Sequence, residues 1–145
     1  MELKRHKNLN VVTNSISAAV ELGDVPTFRI ILLGGEINAQ YSFTYGENVK
    51  EQLARFRADW AILSIDGVCP DAGLTTYHAE EGAVDRIMME RAKRAMIVAD
   101  SSKLGHESFY RISGLDGGKC LITDDGAEPA LAARMTEAGF DVRLA

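Results

Sequence analysis

A chain of 145 residues, 46% of them hydrophobic, has the length and apolar content for one ordinary core, and the default expectation is a single domain over residues 1–145. Its net charge of -5 argues against a nucleic-acid surface within these residues, because non-specific DNA affinity comes from neutralised phosphates. No apolar run approaches the roughly 20 residues that span a bilayer, and the N-terminus lacks the apolar stretch of a secretory signal, so the protein is expected in the cytosol.

Residues 2–7 read as the tail of a helix, with Lys4, Arg5, His6 and Lys7 as its solvated end. Leu9 to Thr13 follows as a buried strand. Ser15 is a good N-cap, Ile16, Ala19 and Val20 form one apolar face, and Gly23 suits the stop of a short helix. Thr27 to Leu33 alternates and is rich in β-branched residues, which predicts a strand ending in Gly34 and Gly35. A loop is expected next, offering the polar groups of Glu36, Asn38, Gln40, Ser42 and Thr44. From Tyr45 the period becomes helical, with Val49, Leu53 and Phe56 on one face.

The stretch around which the chain is organised runs from residue 61 to residue 105. Ala61 to Ile65 and Ala95 to Ala99 are short apolar runs, and Ala79, Ala83, Val84, Ile87 and Met88 recur at helical spacing between them. This predicts two parallel strands joined by a crossover helix, with Asp66, Gly67 and Thr76 on the same sheet edge as Asp100, Ser101, Ser102 and Lys103. Trp60 is read as a packing residue. Ser108 to Ile112 is a candidate strand, residues 113–119 are turn-like, and Cys120 to Thr123 is a buried strand. Pro129 and Gly139 bracket a helix over Ala130 to Ala138, before a terminal strand from Phe140 to Leu144. The alternation gives a layered, Rossmann-like α/β domain with a mainly parallel sheet.

Three groups of residues invite chemistry. Thr13-Asn14-Ser15, Gly34-Gly35-Glu36, Asp66-Gly67, Gly73 to Thr76 and Ser101-Ser102-Lys103 are strand-end loops, where backbone N–H groups and a helix dipole favour anions. Each alone is an ordinary cap or turn; five on one expected edge make a joint case, with Lys103 supplying formal charge. Glu80 and Glu81 suit the first turn of a helix, where the macrodipole favours acids. With Thr76 taken as N-cap, neither closes a capping box. Asp66, at the end of an apolar strand, must meet a donor, a helix end or a ligand, and Lys103 is its expected partner across the adjacent strand. Cys69 and Cys120 read as reduced thiols, and His6, His78 and His106 lack metal-ligand spacing, so no metal or cofactor is expected. No dinucleotide, P-loop, serine-hydrolase or zinc-protease motif occurs.

Taken together and in order, VVTNS (11–15), ILLGGEI (31–37), DGV with GLTT (66–76), EEGAVDR (80–86), VADSSKLG (98–105) and LITDDG (121–126) resemble the C-terminal sensor domain of DeoR-type bacterial transcription regulators. The resemblance implies a fold similar to ribose-5-phosphate isomerase, glucosamine-6-phosphate deaminase and CoA transferases, and binding of phosphorylated sugars or related metabolites without turnover. It implies an effector cleft lined by Asn14, Ser15, Gly34, Gly35, Asp66, Gly67, Thr75, Thr76, Glu81 and Lys103, with Lys103 on the phosphate and Asp66 and Glu81 on hydroxyls. Gly82 stands where alanine is usual and Asp85 where a basic residue is common, which places the departure on the outer helix face. Such regulators also carry a winged helix-turn-helix and an upstream strand with a phosphate-binding loop, neither present in these residues. The expectations are a fragment of a homo-oligomeric repressor, DNA contact only through the absent domain, no membrane, and a sheet edge left exposed by a missing strand. Two other readings stand beside the sensor. One is a sugar-phosphate isomerase or deaminase with Glu81 or Asp66 as general base; the other is a fragment serving oligomerisation alone.

Overall fold

The computed structural model describes residues 2–115 and 119–145. The chain forms two compact units, Met1–Phe56 and Arg57–Ala145. The turn expected over residues 113–119 lies partly outside the described residues, as do Gly117 and Gly118.

In the first unit, residues Glu2–Arg5 form a 3-10 turn rather than the tail of an α-helix. β1 (Asn10–Thr13) and β2 (Arg29–Leu32) pair in parallel, with Val11 opposite Ile30. Between them runs α1 (Ile16–Gly23), whose start is fixed as expected: the Ser15 hydroxyl accepts from the Ala18 N–H at 3.2 Å. Removing that bond in Ser15→Ala is expected to cost about 1 kcal/mol in urea unfolding. The polar stretch expected as a loop is instead a hairpin, β3 (Glu36–Asn38) against β4 (Phe43–Tyr45). Its strands are too short to show a period. Thr44 supplies the tie that makes them strands, donating its hydroxyl to the Leu33 carbonyl at 2.7 Å and its N–H to the Asn14 carbonyl at 2.9 Å. α2 (Glu47–Leu53) follows from Gly46, whose φ of 97° requires glycine, and buries Val49 and Leu53.

In the second unit, β5 (Ala58–Ser64) opens a sheet completed by three later strands. A three-stranded antiparallel layer begins with the hairpin β6 (Gly67–Cys69) and β7 (Gly73–Thr76), and α3 (Ala79–Glu90) leads into β8 (Ala92–Val98). A 3-10 turn at Ser101–Lys103 precedes β9 (Tyr110–Ser113), which pairs with β7. Then come β10 (Lys119–Thr123), α4 (Pro129–Glu137) and β11 (Asp141–Leu144). Pro129 opens α4 and Gly139, at φ 105°, follows its end, the bracket expected from the sequence.

The main sheet has the order β11-β10-β8-β5, parallel throughout, so the fold is α/β with a mainly parallel sheet. Among the described residues β5 has a strand neighbour on one side only, β8. The apolar runs alternate rather than bury evenly. Ala61, Leu63 and Ile65 are buried, whereas Trp60 and Ile62 are exposed, and the Arg94 guanidinium lies 5.3 Å from the centre of the Trp60 ring. Leu63, Ile97, Leu121, Met135 and Phe140 form the core, joined by Val68, Leu74 and Ile112 from the antiparallel layer. Ser64 lies opposite Val98 in the register, which brings the ends of β5 and β8 side by side.

Candidate functional site

The end of β5 is held by a compact set of polar bonds. Oδ2 of Asp66 accepts from the Thr76 hydroxyl at 2.9 Å and from the Tyr77 N–H at 3.0 Å, and the Asp66 N–H donates to the Thr75 carbonyl at 3.2 Å. The partner expected for Asp66, Lys103, is not the one found. A hydroxyl and a backbone N–H satisfy the carboxylate without a counterion, and among the described residues the Lys103 ammonium makes no hydrogen bond or ion pair.

Lys103 is nonetheless close by along the chain. Val68 and Leu104 form a parallel bridge and the Gly105 N–H donates to the Val68 carbonyl at 2.7 Å, so the backbone preceding Leu104 runs beside the backbone preceding Val68. Gly67 has no room for a side chain: a Cβ there would sit 2.5 Å from both the His106 carbonyl oxygen and the Thr75 hydroxyl. Thr75 is 1% exposed and works as a tie, accepting from the Ser108 N–H at 2.9 Å and donating to the Gly67 carbonyl at 3.3 Å. Thr75 and Thr76 therefore position Asp66 and Gly67 from below.

The Ser101-Ser102 N–H groups, expected to be available to an anion, are already taken. Ser101 N–H donates to Asp124 Oδ2 at 2.7 Å and Ser102 N–H to Asp100 Oδ1 at 3.0 Å, and the Ser102 hydroxyl also bonds Asp100. The Ser101 bonds, with the Gly126 N–H, hold the Asp124 carboxyl below its usual range.

α3 begins later than expected. Thr76 ends β7, and His78 is the N-cap, without a side-chain capping bond. Glu81 thus falls at the third helical position. Burial, and then the charge of Asp66, push its carboxyl upward, against the opposing pull of His78 and the Thr76 hydroxyl. One turn further on, Asp85 overturns its placement on an outer face: it is only 6% exposed, and its Oδ2 has no hydrogen-bond partner among the described residues. Burial, followed by the charges of Glu81 and Asp66, pushes its carboxyl up to about 8. A carboxylate reads as polar in any sequence pattern, so nothing in the pattern marks it as inward-facing. Gly82 between them is also explained, since a Cβ there would lie 2.6 Å from the Tyr110 ring.

In the first unit, the expected cleft residues serve the local fold. Asn14 is 8% exposed and its side-chain amide donates to the Thr44 carbonyl at 3.1 Å, while Ser15 caps α1. The Gly34 backbone is clamped by Gln52, whose amide accepts from its N–H at 3.2 Å and donates to its carbonyl at 2.7 Å. A Cβ at Gly35 would sit 2.4 Å from the Tyr45 carbonyl oxygen. In the second unit, a recess of about 240 Å³ bordered by Trp60, Arg94, Met96 and Arg143 includes none of the expected cleft residues.

The second unit thus brings Asp66, Gly67, Thr75, Thr76 and Glu81 together, sets the Lys103 segment alongside, and adds Asp85. The family model for the DeoR C terminal sensor domain matches residues 1–125. The HTH-type transcriptional repressor GlcR of Bacillus subtilis (strain 168) is 40% identical over 114 residues, which cover 79% of this chain and 44% of that protein. The glycerol-3-phosphate regulon repressor of Escherichia coli (strain K12) is 32% identical, over 84% of this chain and 48% of its own length. The HTH-type transcriptional regulator GolR of Listeria innocua is 30% identical, over 99% and 57%. The chain spans about half the length of these relatives. It belongs to the DeoR family and corresponds to that family's C-terminal sensor domain.

Proposed function

We propose that this chain is the single effector-sensing domain of a cytoplasmic, homo-oligomeric transcriptional repressor, and that its effector is a phosphorylated sugar or a related polyol phosphate. The observation that carries the reading is the placement of Asp66 and Glu81, both acceptors for hydroxyls, in the unit where the Lys103 ammonium, unpaired among the described residues, lies on the adjoining segment. A carboxylate that already accepts from Thr76 and Tyr77 retains lone pairs for a ligand hydroxyl. Lys103 gives the phosphate a point charge. Asn14, Ser15, Gly34 and Gly35 belong to the proposal as supports of the first unit's loops. The relatives' names, which include a glycerol-3-phosphate regulon repressor, favour a phosphorylated effector. DNA contact is assigned to a winged helix-turn-helix outside these residues, and no cofactor is invoked.

Calorimetric titration of the full-length protein with a panel of sugar and polyol phosphates tests this. Saturable binding without turnover is expected, and Lys103→Met should weaken it roughly 10- to 100-fold, the worth of a charge-assisted hydrogen bond of about 1.5–3 kcal/mol. Isomerised or deaminated product that disappears in Glu81→Gln would establish an enzyme instead.

A further inference from the structure

We infer that Tyr77 is a specificity-determining residue of the proposed effector site. It sets the span between the Asp66 carboxylate and the segment that carries Lys103, and so selects phosphorylated polyols and sugars by the length of their carbon chain. The inference rests on the sensor reading above and narrows its ligand class.

Tyr77 is bonded at both ends. Its N–H donates to Asp66 Oδ2 at 3.0 Å, and its hydroxyl lies 2.9 Å from His106 Nε2. The two rings are tilted at 50°, with centroids 6.2 Å apart. His106 follows Lys103 by three residues, and the backbone between them is held to β6 by the Gly105 N–H on the Val68 carbonyl at 2.7 Å. The His106 carbonyl oxygen in turn packs on Gly67, the residue after Asp66. A side chain that reaches from the carboxylate to this segment therefore fixes how far apart the two stand.

The neighbouring tie is of a different kind. Thr75 accepts from the Ser108 N–H at 2.9 Å, and both residues are buried. That bond secures the fold. The Tyr77–His106 bond joins two exposed side chains, and among the described residues neither ring has another hydrogen-bond partner. A tyrosine is a rigid spacer with only two side-chain torsions, so it holds a distance at low entropic cost. With the span fixed, a chain one carbon too short or too long leaves the phosphate charge or the hydroxyl acceptor unmatched, and each unmade bond lowers affinity.

The test is calorimetry on the full-length protein with terminal phosphates of glycerol, erythritol, ribitol and glucitol, and with the aldose phosphates of the same lengths. The unaltered protein should favour one length about 10-fold over its neighbours, the loss expected from one unmade charge-assisted bond. Tyr77→Phe keeps the ring and the backbone bond to Asp66 and loses only the hydroxyl, and should flatten that preference to within about 3-fold. His106→Ala should do the same, and the double variant should go no further, because all remove one shared bond. A role in folding alone would weaken binding of every length by the same factor and leave the preference sharp. A preference that stays sharp in either single variant, or is absent from the unaltered protein, overturns the inference and leaves the sensor reading standing. Absence of binding across the whole panel overturns both.

Discussion

Asp85→Asn is expected to raise the unfolding free energy of this chain by about 1–3 kcal/mol at pH 7.5 and to give no gain at pH 4. The direction follows from linkage. In the folded state the Asp85 carboxyl titrates at about 8, whereas the ordinary value is 3.8. Below pH 4 both states hold the proton and the group is neutral in its effect. Between about pH 4 and pH 8 the unfolded chain releases the proton and the folded chain keeps it, so stability falls as pH rises, by up to about 1.4 kcal/mol per pH unit. Asparagine has the same shape and no proton to lose. Its gain is reduced by an amide left partly unsatisfied, which costs about 1–3 kcal/mol. Glu81, also pushed upward, adds a slope of the same sign that survives in the variant. Asp59 and Asp124 are held low and act oppositely, losing their contribution as pH falls below the ordinary carboxyl range. Urea unfolding of both proteins at pH 4, 6 and 7.5 checks this; parallel curves for the two proteins would show that Asp85 is not the buried acid.

Gly73→Ala should be the most damaging small substitution, costing about 3–5 kcal/mol. Two effects add at this position. The residue has φ of 88°, a conformation that costs an L side chain about 1–2 kcal/mol. An added Cβ would also meet the Ser113 carbonyl oxygen at 2.2 Å and the Gly114 Cα at 3.0 Å, which are backbone atoms that cannot swing aside. Relief would have to come from the pairing of β7 with β9, the layer that carries Thr75 and Thr76. Gly23→Ala is the control, since nothing lies within 4 Å of its Cβ position and its φ is ordinary. A slight gain of about 0.5–1 kcal/mol is expected there. Equal urea midpoints for the two variants would contradict the geometry.

Much of this architecture is legible in the amino-acid order because it rests on local signals. Ser15 caps the helix that follows it, Pro129 and Gly139 bracket α4, and the β5-α3-β8 unit announces itself through apolar runs and helical spacing. The two hairpins are not legible, because strands of three or four residues show no period. What makes them strands is distant: Thr44 bonding back to Leu33 and Asn14, and Thr75 meeting Ser108. Within the second unit the order of the motifs makes legible which residues lie near one another, and not the bonds they make. Asp66 and Lys103 look like natural partners by charge, yet Asp66 is satisfied by Thr76 and Tyr77. Asp85 is hidden for the opposite reason, since burial of an unpaired carboxylate contradicts the pattern from which burial is inferred.

The bonding of Asp66 has a consequence for signalling. One carboxylate oxygen holds both the Thr76 hydroxyl and the Tyr77 N–H, on the two residues immediately before His78 caps α3. In the proposed site, a ligand hydroxyl that takes this oxygen instead of the other one competes with the clasp on the segment leading into the helix. Occupancy and the placement of the helix start are then thermodynamically tied, and each can shift the other only by the free energy with which the ligand distinguishes a closed clasp from an open one.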